Sequence, residues 1–471
     1  MSIDVTPTPL AAREPELQGL RLLVLGLGRS GLAATRLAAR HGARVAVADA
    51  RPETEIGDAV TLARAAGASI HAGGHPPELL SGIDLVILSP GVPAQVEIVR
   101  TARTRGVPVW GEIELAARFC SGRIIGITGS NGKSTVTSMV GAILRGAGIP
   151  GGTGGNLATP FCDLLELDGP TAVHAVELSS FQLESVEALR PDVAAILNLS
   201  PDHLDRYPSL DAYADAKARV LEIQDPTAAA VLNADDLPSR RFDRSVRGRS
   251  YRFSTRSEVD HGGFVHDGTI VVRVGATDLQ VLGAAELLVP GEHNLANALA
   301  AATCSALVGC SGESIARGLR AFRPLPHRLE LVATIGGVRW FNDSKATNPD
   351  AAARALGAFA PGSVHLILGG KDKGADWSAV ADLLARHARQ VLLVGQASSM
   401  LAQRLYDTVR LEECGTVSRA VEICSATARP GDVVLLTPGC ASFDQYRNFE
   451  ERGEDFRRAV RALGPGDDDD A

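Results

Sequence analysis

The sequence predicts an α/β protein of three domains: a Rossmann-like N-terminal domain, a central domain on a P-loop ATPase-like parallel sheet, and a Rossmann-like C-terminal domain. Three observations predict it. A chain of 471 residues suffices for about three domains. Apolar runs of strand length alternate with helical stretches, and glycine turns separate strand from helix where open sheets of this kind bind ligands. The expected boundaries are 1–111, 112–324 and 325–471.

After a loose, Pro-containing lead (Thr6 to Gly19), Arg21–Leu25 reads as a buried strand. Gly26-Leu-Gly28-Arg-Ser-Gly31 then opens a helix through Arg40, and Arg44–Asp49 reads as a second strand. Strand, glycine turn, helix and strand, with an acidic residue about 20 positions on, make the dinucleotide fingerprint. Taken alone it suits NAD. Glycines at a helix N-terminus bind any diphosphate, however, and Asp49 suits any ribose hydroxyl, so a nucleoside diphosphate-sugar is equally admissible. A further strand ends at Asp84–Ser89, with Pro90-Gly91 directly after it.

The second segment begins near Glu112 and carries Gly126-Ile-Thr-Gly-Ser-Asn-Gly-Lys-Ser-Thr135 between a strand and a helix. Backbone N–H groups of such a loop turn onto phosphate oxygens, Lys133 reaches the β- and γ-phosphates, and the Ser134 hydroxyl suits Mg²⁺. The glycine spacing departs from the strict P-loop form, since Ile127 stands where the first glycine belongs. Strands at Thr171–Glu177 and Val193–Asn198 end in polar residues, Glu177-Leu-Ser-Ser and Asn198 to Asp205, on the rim where the phosphate loop must lie. Glu177 is a candidate metal ligand; His203 is a metal ligand, a proton handler or a capping side chain. Tyr251 to Val289 alternates like antiparallel strands and reads as an insertion, after which Gly291-Glu-His-Asn-Leu-Ala-Asn297 starts an alanine-rich helix.

Beyond the Pro324-Leu-Pro326 linker, strands at Val338–Phe341, Val364–Leu368, Gln390–Val394 and Val433–Leu436 alternate with helical stretches and predict another parallel-sheet unit. Gly369-Gly-Lys-Asp-Lys373, Gly395 and Pro438-Gly-Cys-Ala-Ser442 stand at its strand ends.

Composition narrows the partners. Hydrophobic residues at 45% and charged residues at 22% describe an ordinary globular protein, and aromatics at 4% are too sparse for base-stacking surfaces. The net charge of -8, half of it in the tail Asp467–Asp470, leaves no electrostatic footprint for nucleic acid. The tail itself reads as solvated and disordered. Seven scattered cysteines without a C-x-x-C pair indicate neither a disulfide framework nor a zinc site. No signal peptide or spanning segment is read, so the expectation is a cytoplasmic chain that touches no membrane; a monomer is expected separately.

With these residues assembled, the chain resembles the muramyl ligases. The likeness runs from Gly26 to about Gly464 and rests on nine blocks in one order: GITGSNGKSTVT, GGN at 154–156, ELSSFQLE from Glu177, DHLDRY from Asp202, YADAK ending at Lys217, GEHNLANALAA, LPHRLE, FNDSKATN and ASFDQYRNFEERG. The phosphate loop and the Gly-x-His-Asn block are shared with folylpolyglutamate synthetases. The C-terminal blocks resemble those of the members that add D-glutamate to UDP-N-acetylmuramoyl-L-alanine, and the Asp-Asn-Pro-Arg block of the diaminopimelate- or lysine-adding members is absent.

The resemblance implies ATP-dependent ligation through an acyl phosphate, with ATP and Mg²⁺ required, in peptidoglycan precursor synthesis. Lys133, Glu177, His203 and Lys217 are the implied catalytic residues, with Ser134, Glu177, His203 and Lys217 on metal. Lys217 would serve as a carbamate, although by pattern alone Tyr213 to Arg219 reads as a solvated helix face. ATP would meet Gly129, Ser130, Asn131, Gly132, Lys133, Ser134, Thr135, Asn294, Asn297, His327, Arg328, Asp343 and Lys345. The UDP substrate would meet Gly28, Arg29, Ser30, Asp49, Arg51, Gly91 and Asn156. D-Glutamate would meet Thr347, Lys373, Ser442, Phe443 and Phe449; from the residues alone Lys373 also reads as a plain surface lysine and Phe449 as core.

Overall fold

The computed structural model describes residues 16–157, 159–203, 206–288, 291–323 and 325–467. Thr6 to Pro15 of the lead, Leu204, Asp205, Val289, Pro324 and the tail from Asp468 lie outside the described residues. Strands β1 (Arg21–Leu25), β2 (Arg44–Asp49), β3 (Ser69–Ala72), β4 (Leu85–Leu88) and β5 (Val109–Gly111) form an all-parallel sheet ordered β3-β2-β1-β4-β5. Its strand order reverses between β1 and β4, and there the Gly26 turn and Pro90-Gly91 stand side by side, as ligand-binding open sheets require. Leu23, Leu25, Val86, Ile98, Val99 and Ala102 fill one face.

The second sheet holds β6 (Arg123–Thr128), β7 (Thr153–Gly155), β8 (Val173–Glu177), β9 (Val193–Ile196), β10 (Ala229–Asn233), β11 (Arg249–Phe253), β12 (Gly262–His266), β13 (Thr269–Val274) and β14 (Thr277–Gly283), ordered β14-β13-β12-β11-β10-β9-β6-β8-β7. Pairing is parallel from β7 across to β12, and only β12-β13-β14 is antiparallel. The antiparallel pattern expected at Tyr251 to Val289 holds for β12 to β14 and is corrected for β11 and for its reading as an insertion. Tyr251 lies in β11, a parallel strand, and the hairpins that follow extend the main sheet, because β10 leaves an edge whose N–H and C=O groups need partners.

The third sheet holds β15 (Glu330–Ile335), β16 (Val338–Asn342), β17 (Val364–Gly369), β18 (Ala388–Val394), β19 (Leu411–Gly415) and β20 (Val433–Gly439), ordered β15-β16-β20-β17-β18-β19. The strand period of two splits its apolar residues between two cores. Val364, Leu366, Leu368, Val391, Leu393 and Leu435 face one, and Ile367, Leu392, Val394, Val434 and Leu436 face the other. Covered on both faces, these strands read as continuous apolar runs, which is why they were legible. The edge strands β15 and β19 were not. β15 is antiparallel to β16, which corrects the expectation of a wholly parallel unit, and β19 (Leu-Glu-Glu-Cys-Gly) takes its form from pairing with β18 against its own propensity.

The chain clusters into two compact units. One holds the first two sheets; the other holds the third together with Ser200–Tyr213 and Glu286–Ala296. Among the described residues no helix is long and apolar enough to cross a membrane.

Candidate active site

The phosphate loop runs from the end of β6 into the helix Lys133–Gly146, with Gly132 in the left-handed region at the helix N-cap. Two neighbouring strands hold it. On one side Glu177 closes β8 in register with Ile127 of β6. On the other, Asn198 follows β9: its carbonyl accepts the Ser130 N–H at 3.0 Å, its Oδ1 accepts the Asn131 N–H at 2.8 Å, and its Nδ2 donates to the Asn131 carbonyl at 3.1 Å. Asn198 is absent from the site residues expected from the sequence. A polar residue just past an apolar strand was the signal available.

Lys133 Nζ donates to the carbonyls of Gly129 and Ser130 at 2.8 and 2.9 Å. Lys217, on the helix Leu210–Glu222, is only 1% exposed and donates to the same Gly129 carbonyl at 3.0 Å. The solvated-face reading of Tyr213 to Arg219 is thus corrected: the helix turns this lysine inward, onto the phosphate loop. Ser134 and Glu177 are buried at 1% and 2% exposure. Asn156 Nδ2 donates to Glu177 Oε1 at 2.8 Å, and the Asn156 N–H to the Glu177 carbonyl at 2.9 Å. Gly155 must be glycine for this approach, since φ is +89° and a Cβ would lie 2.4 Å from the Glu177 carbonyl oxygen.

The seven residues expected to meet a UDP group, Gly28, Arg29, Ser30, Asp49, Arg51, Gly91 and Asn156, line one cavity of about 580 Å³. The Asp49 oxygens, which the fingerprint matches to a ribose, are engaged within the chain. Oδ2 accepts the Leu27 N–H at 2.7 Å and an Arg51 guanidinium nitrogen at 2.9 Å, while Oδ1 accepts Arg51 N and Nε, both at 2.9 Å. Burial pushes this carboxyl up, but the bonds from Arg51 and Leu27 outweigh it and hold it at about 2. Asp49 therefore anchors the glycine turn and aims Arg51.

In the second unit, His203 has a left-handed backbone with φ 56°, and its N–H donates to Asp202 Oδ1 at 2.9 Å. Asp202 also accepts from Asn348 Nδ2 at 3.0 Å and lies 3.5 Å from Lys373 Nζ. Lys373 is thus held in an ion pair with its side chain largely covered, unlike a plain surface lysine. Asn294 is buried; so is Asn297, which starts the first unit's share of the helix Glu292–Leu307. Asp343 follows β16, accepts from the Leu329 N–H at 3.2 Å and from Thr437 Oγ1 at 3.0 Å, and is pushed up to about 7 by burial, against the opposing charge of Arg328. Lys345 Nζ sits 5.1 Å over the ring of Phe449, which is half-buried on one end of the helix Phe449–Arg461 rather than in a core. Thr347 is half-buried, Ser442 is 2% exposed and Phe443 is 70% exposed, the last two on the loop after β20.

Cys120, Asp168 and His174 are the described His/Cys/carboxylate group with ligand atoms within 4.8 Å of one another. Asp168 accepts there from the Ser121 and Gly122 N–H groups at 2.7 and 3.0 Å and faces His174 Nε2 at 2.9 Å, so its carboxylate pins the turn before β6.

Family models match three stretches: a Mur ligase MurD-like N-terminal domain over residues 20–111, a Mur ligase middle domain over 127–305, and a Mur ligase glutamate ligase domain over 327–440. Relatives named UDP-N-acetylmuramoylalanine–D-glutamate ligase include one from Anaeromyxobacter dehalogenans, 46% identical over 94% of this chain and 98% of its own. Another, from Acidobacterium capsulatum, is 43% identical over 95% and 97%. In fold the chain is similar to the UDP-N-acetylmuramate-alanine ligase of Thermotoga maritima (TM-score 0.60, 19% identity, 94% of this chain and 100% of that one). It is also similar to the MurF ligase of the same organism in complex with ADP (TM-score 0.58, 16% identity, 96% and 100%).

Proposed function

The chain belongs to the Mur ligase family, and from that premise we propose that it joins D-glutamate to UDP-N-acetylmuramoyl-L-alanine. It is an ATP-dependent, amide-bond-forming ligase of peptidoglycan precursor synthesis. The substrate carboxylate attacks the γ-phosphate, releasing ADP and forming an acyl phosphate. The neutral D-glutamate amine then attacks the acyl carbon and expels phosphate. A free carboxylate is a poor acyl donor, and phosphorylation supplies the leaving group.

The structural observation that carries this reading is the convergence of Lys133 and Lys217 on one phosphate-loop carbonyl, beside buried oxygen donors. Lys133 brings its cation to the transferring phosphate. The donor set fits Mg²⁺, a hard cation that favours oxygen: Ser134 offers a hydroxyl and Glu177 a carboxylate, with His203 and Lys217, as its carbamate, proposed as further ligands. Bound Mg²⁺ would neutralise charge on the phosphates. Two ammonium groups drawn to one oxygen repel each other, and converting Lys217 to an anionic carbamate removes that repulsion.

Arg51, aimed by Asp49, and the glycine turn are proposed to hold the UDP group, with Asn156 near the reacting carboxylate. Asn294, Asn297, His327, Arg328, Asp343 and Lys345 are proposed to hold ATP, and Thr347, Lys373, Ser442, Phe443 and Phe449 to hold D-glutamate. Two carboxylates on a small zwitterion call for such a lysine and oriented donors. The reading includes domains of 1–111, 112–324 and 325–471, a monomeric state and a cytoplasmic location. Phosphate release with ATP, Mg²⁺ and UDP-N-acetylmuramoyl-L-alanine tests it. Release should require D-glutamate and fail with L-glutamate, L-alanine or meso-diaminopimelate; equal activity with any of these overturns the assignment.

A further inference from the structure

His327 and Leu329 flank Arg328, and both have left-handed backbones, with φ 63° and 40°. Leucine in particular visits this region rarely, and neither residue is glycine, so the surroundings must impose the conformation. The fully buried Asn342, at the end of β16, is the first such constraint. Its Oδ1 accepts the Ser344 N–H at 3.1 Å, which fixes the amide orientation. Its Nδ2 is then left to donate to His327 Nδ1 at 2.9 Å, with Glu330 Oε2 and the Gly453 carbonyl each at 3.3 Å. The second constraint is Gly453 on the helix Phe449–Arg461, where a Cβ would stand 2.1 Å from His327 Nδ1. Glu330 Oε2 also accepts the His327 N–H at 2.9 Å, and Asp343 Oδ1 accepts the Leu329 N–H at 3.2 Å.

A donor on Asn342 requires a lone pair on His327 Nδ1. The imidazole is therefore neutral, with its proton on Nε2, which lies 3.7 Å from Glu454. Burial holds this imidazole below its usual range; Glu330, Glu454 and Glu450 pull the other way, while Arg457 reinforces the depression. Between the two left-handed residues, the Arg328 charge acts on Asp343.

We propose that Asn342 and Gly453 are positioning residues of the nucleotide site that act through His327. Asn342 selects the imidazole with a bare Nδ1, and Gly453 leaves the space in which it sits. The turn they enforce presents Arg328 beside Asp343. The inference rests on the reading of Arg328 and Asp343 as nucleotide contacts. Asn342→Asp keeps the shape but replaces the donor with an acceptor, so a neutral imidazole sets a bare nitrogen against a carboxylate in either tautomer: Nδ1 against the new carboxylate, or Nε2 against Glu454. When the imidazole takes a second proton, Nδ1–H donates to the new carboxylate while Nε2–H still faces Glu454, and both contacts are satisfied.

The test is ADP binding with Mg²⁺ by calorimetry on the full chain, each variant compared with wild type at the same pH. Asn342→Asp should bind about tenfold more weakly near pH 8, the scale of one buried hydrogen bond lost, and recover to within about twofold near pH 6. Gly453→Ala should bind at least about tenfold more weakly at both, because the clash does not titrate. An equal loss for Asn342→Asp at both pH values, or wild-type binding by Gly453→Ala, overturns the proposal; a general folding defect would not produce recovery at lower pH. Binding does not require transfer. A wild-type chain that binds ADP but releases no phosphate with D-glutamate therefore refutes the ligase reading alone, and the binding ratios still judge Asn342 and Gly453.

Discussion

Lys217 and Lys133 donate to the same oxygen, the Gly129 carbonyl, at 3.0 and 2.8 Å. One comes from a helix some eighty residues beyond the other, and it is buried as few lysines are. Lys217→Ala should lose most activity, and added short carboxylic acids should partly restore it by placing a carboxylate where the carbamate would be. Lys217→Arg should resist rescue, because its permanent cation still fills the site. Steady-state ADP release with and without added acetate or formate checks both; a fully active Lys217→Ala removes the lysine from the mechanism.

Lys133→Ala should lower kcat by at least about a hundredfold, the usual scale for removing one transition-state electrostatic contact. Single-turnover measurement of ADP formation separates this from a loss of ATP binding. Wild-type turnover would show that the loop lysine has no part in transfer.

Gly155→Ala places a methyl 2.4 Å from the Glu177 carbonyl on a residue with φ +89°. Strain of this kind destabilises by about 1–3 kcal/mol. Urea unfolding should show a lower midpoint at unchanged slope, and activity should fall further than stability because Asn156, the next residue, holds the Glu177 carboxylate. An unchanged midpoint would mean that β7 and β8 separate without penalty.

Asp49 has its folded pKa depressed from 3.8 to about 2, so its contribution to stability is present above about pH 4 and is lost as pH falls through 2. A shift of this size is about 2 kcal/mol in principle, and solvent around the half-exposed Arg51 reduces it to about 1 kcal/mol. Asp49→Asn should therefore be less stable than wild type at pH 7, with about half the difference remaining at pH 3. It should also raise KM for the UDP substrate about tenfold with kcat little changed, because Arg51 loses its aim. A kcat effect without a KM effect would place Asp49 elsewhere in the reaction.

Asp343 has the opposite sign. Its pKa is raised from 3.8 to about 7, so the penalty begins above about pH 4, where the unfolded chain ionises and the folded one does not, and levels off above 7. Asp343→Asn removes the buried charge and can keep both hydrogen bonds, so it should be more stable than wild type by about 1 kcal/mol or more at pH 8 and equal to it near pH 4. Activity should fall at the same time, since a residue poised at a stability cost is one the site uses. Thermal melting at the two pH values, with turnover at pH 8, measures both.

The sequence by itself determined the strands whose two faces are both covered, because their apolar runs are unbroken. It also determined the glycine turns that follow β1 and β6, because a tight approach to phosphate restricts residue choice to glycine at set spacings. The ordered blocks further identified the family. Tertiary structure alone decided that β11 and β12 continue the central sheet in parallel and that Leu411–Gly415 is a strand, since edge strands take their form from a neighbour. It alone turned Lys217 inward, because Tyr213 to Arg219 has the polar spacing of a solvated helix and only the packed phosphate loop supplies the carbonyl that receives the ammonium. Asp49 was legible as a functional acid but not as the anchor of Arg51, and Asn342 and Gly453 were legible only as members of their blocks, with no local sign of the contacts they make with His327. Local pattern reports which face of an element is buried, whereas a hydrogen-bond partner 22 or 111 residues away is chosen only when the sheets have formed.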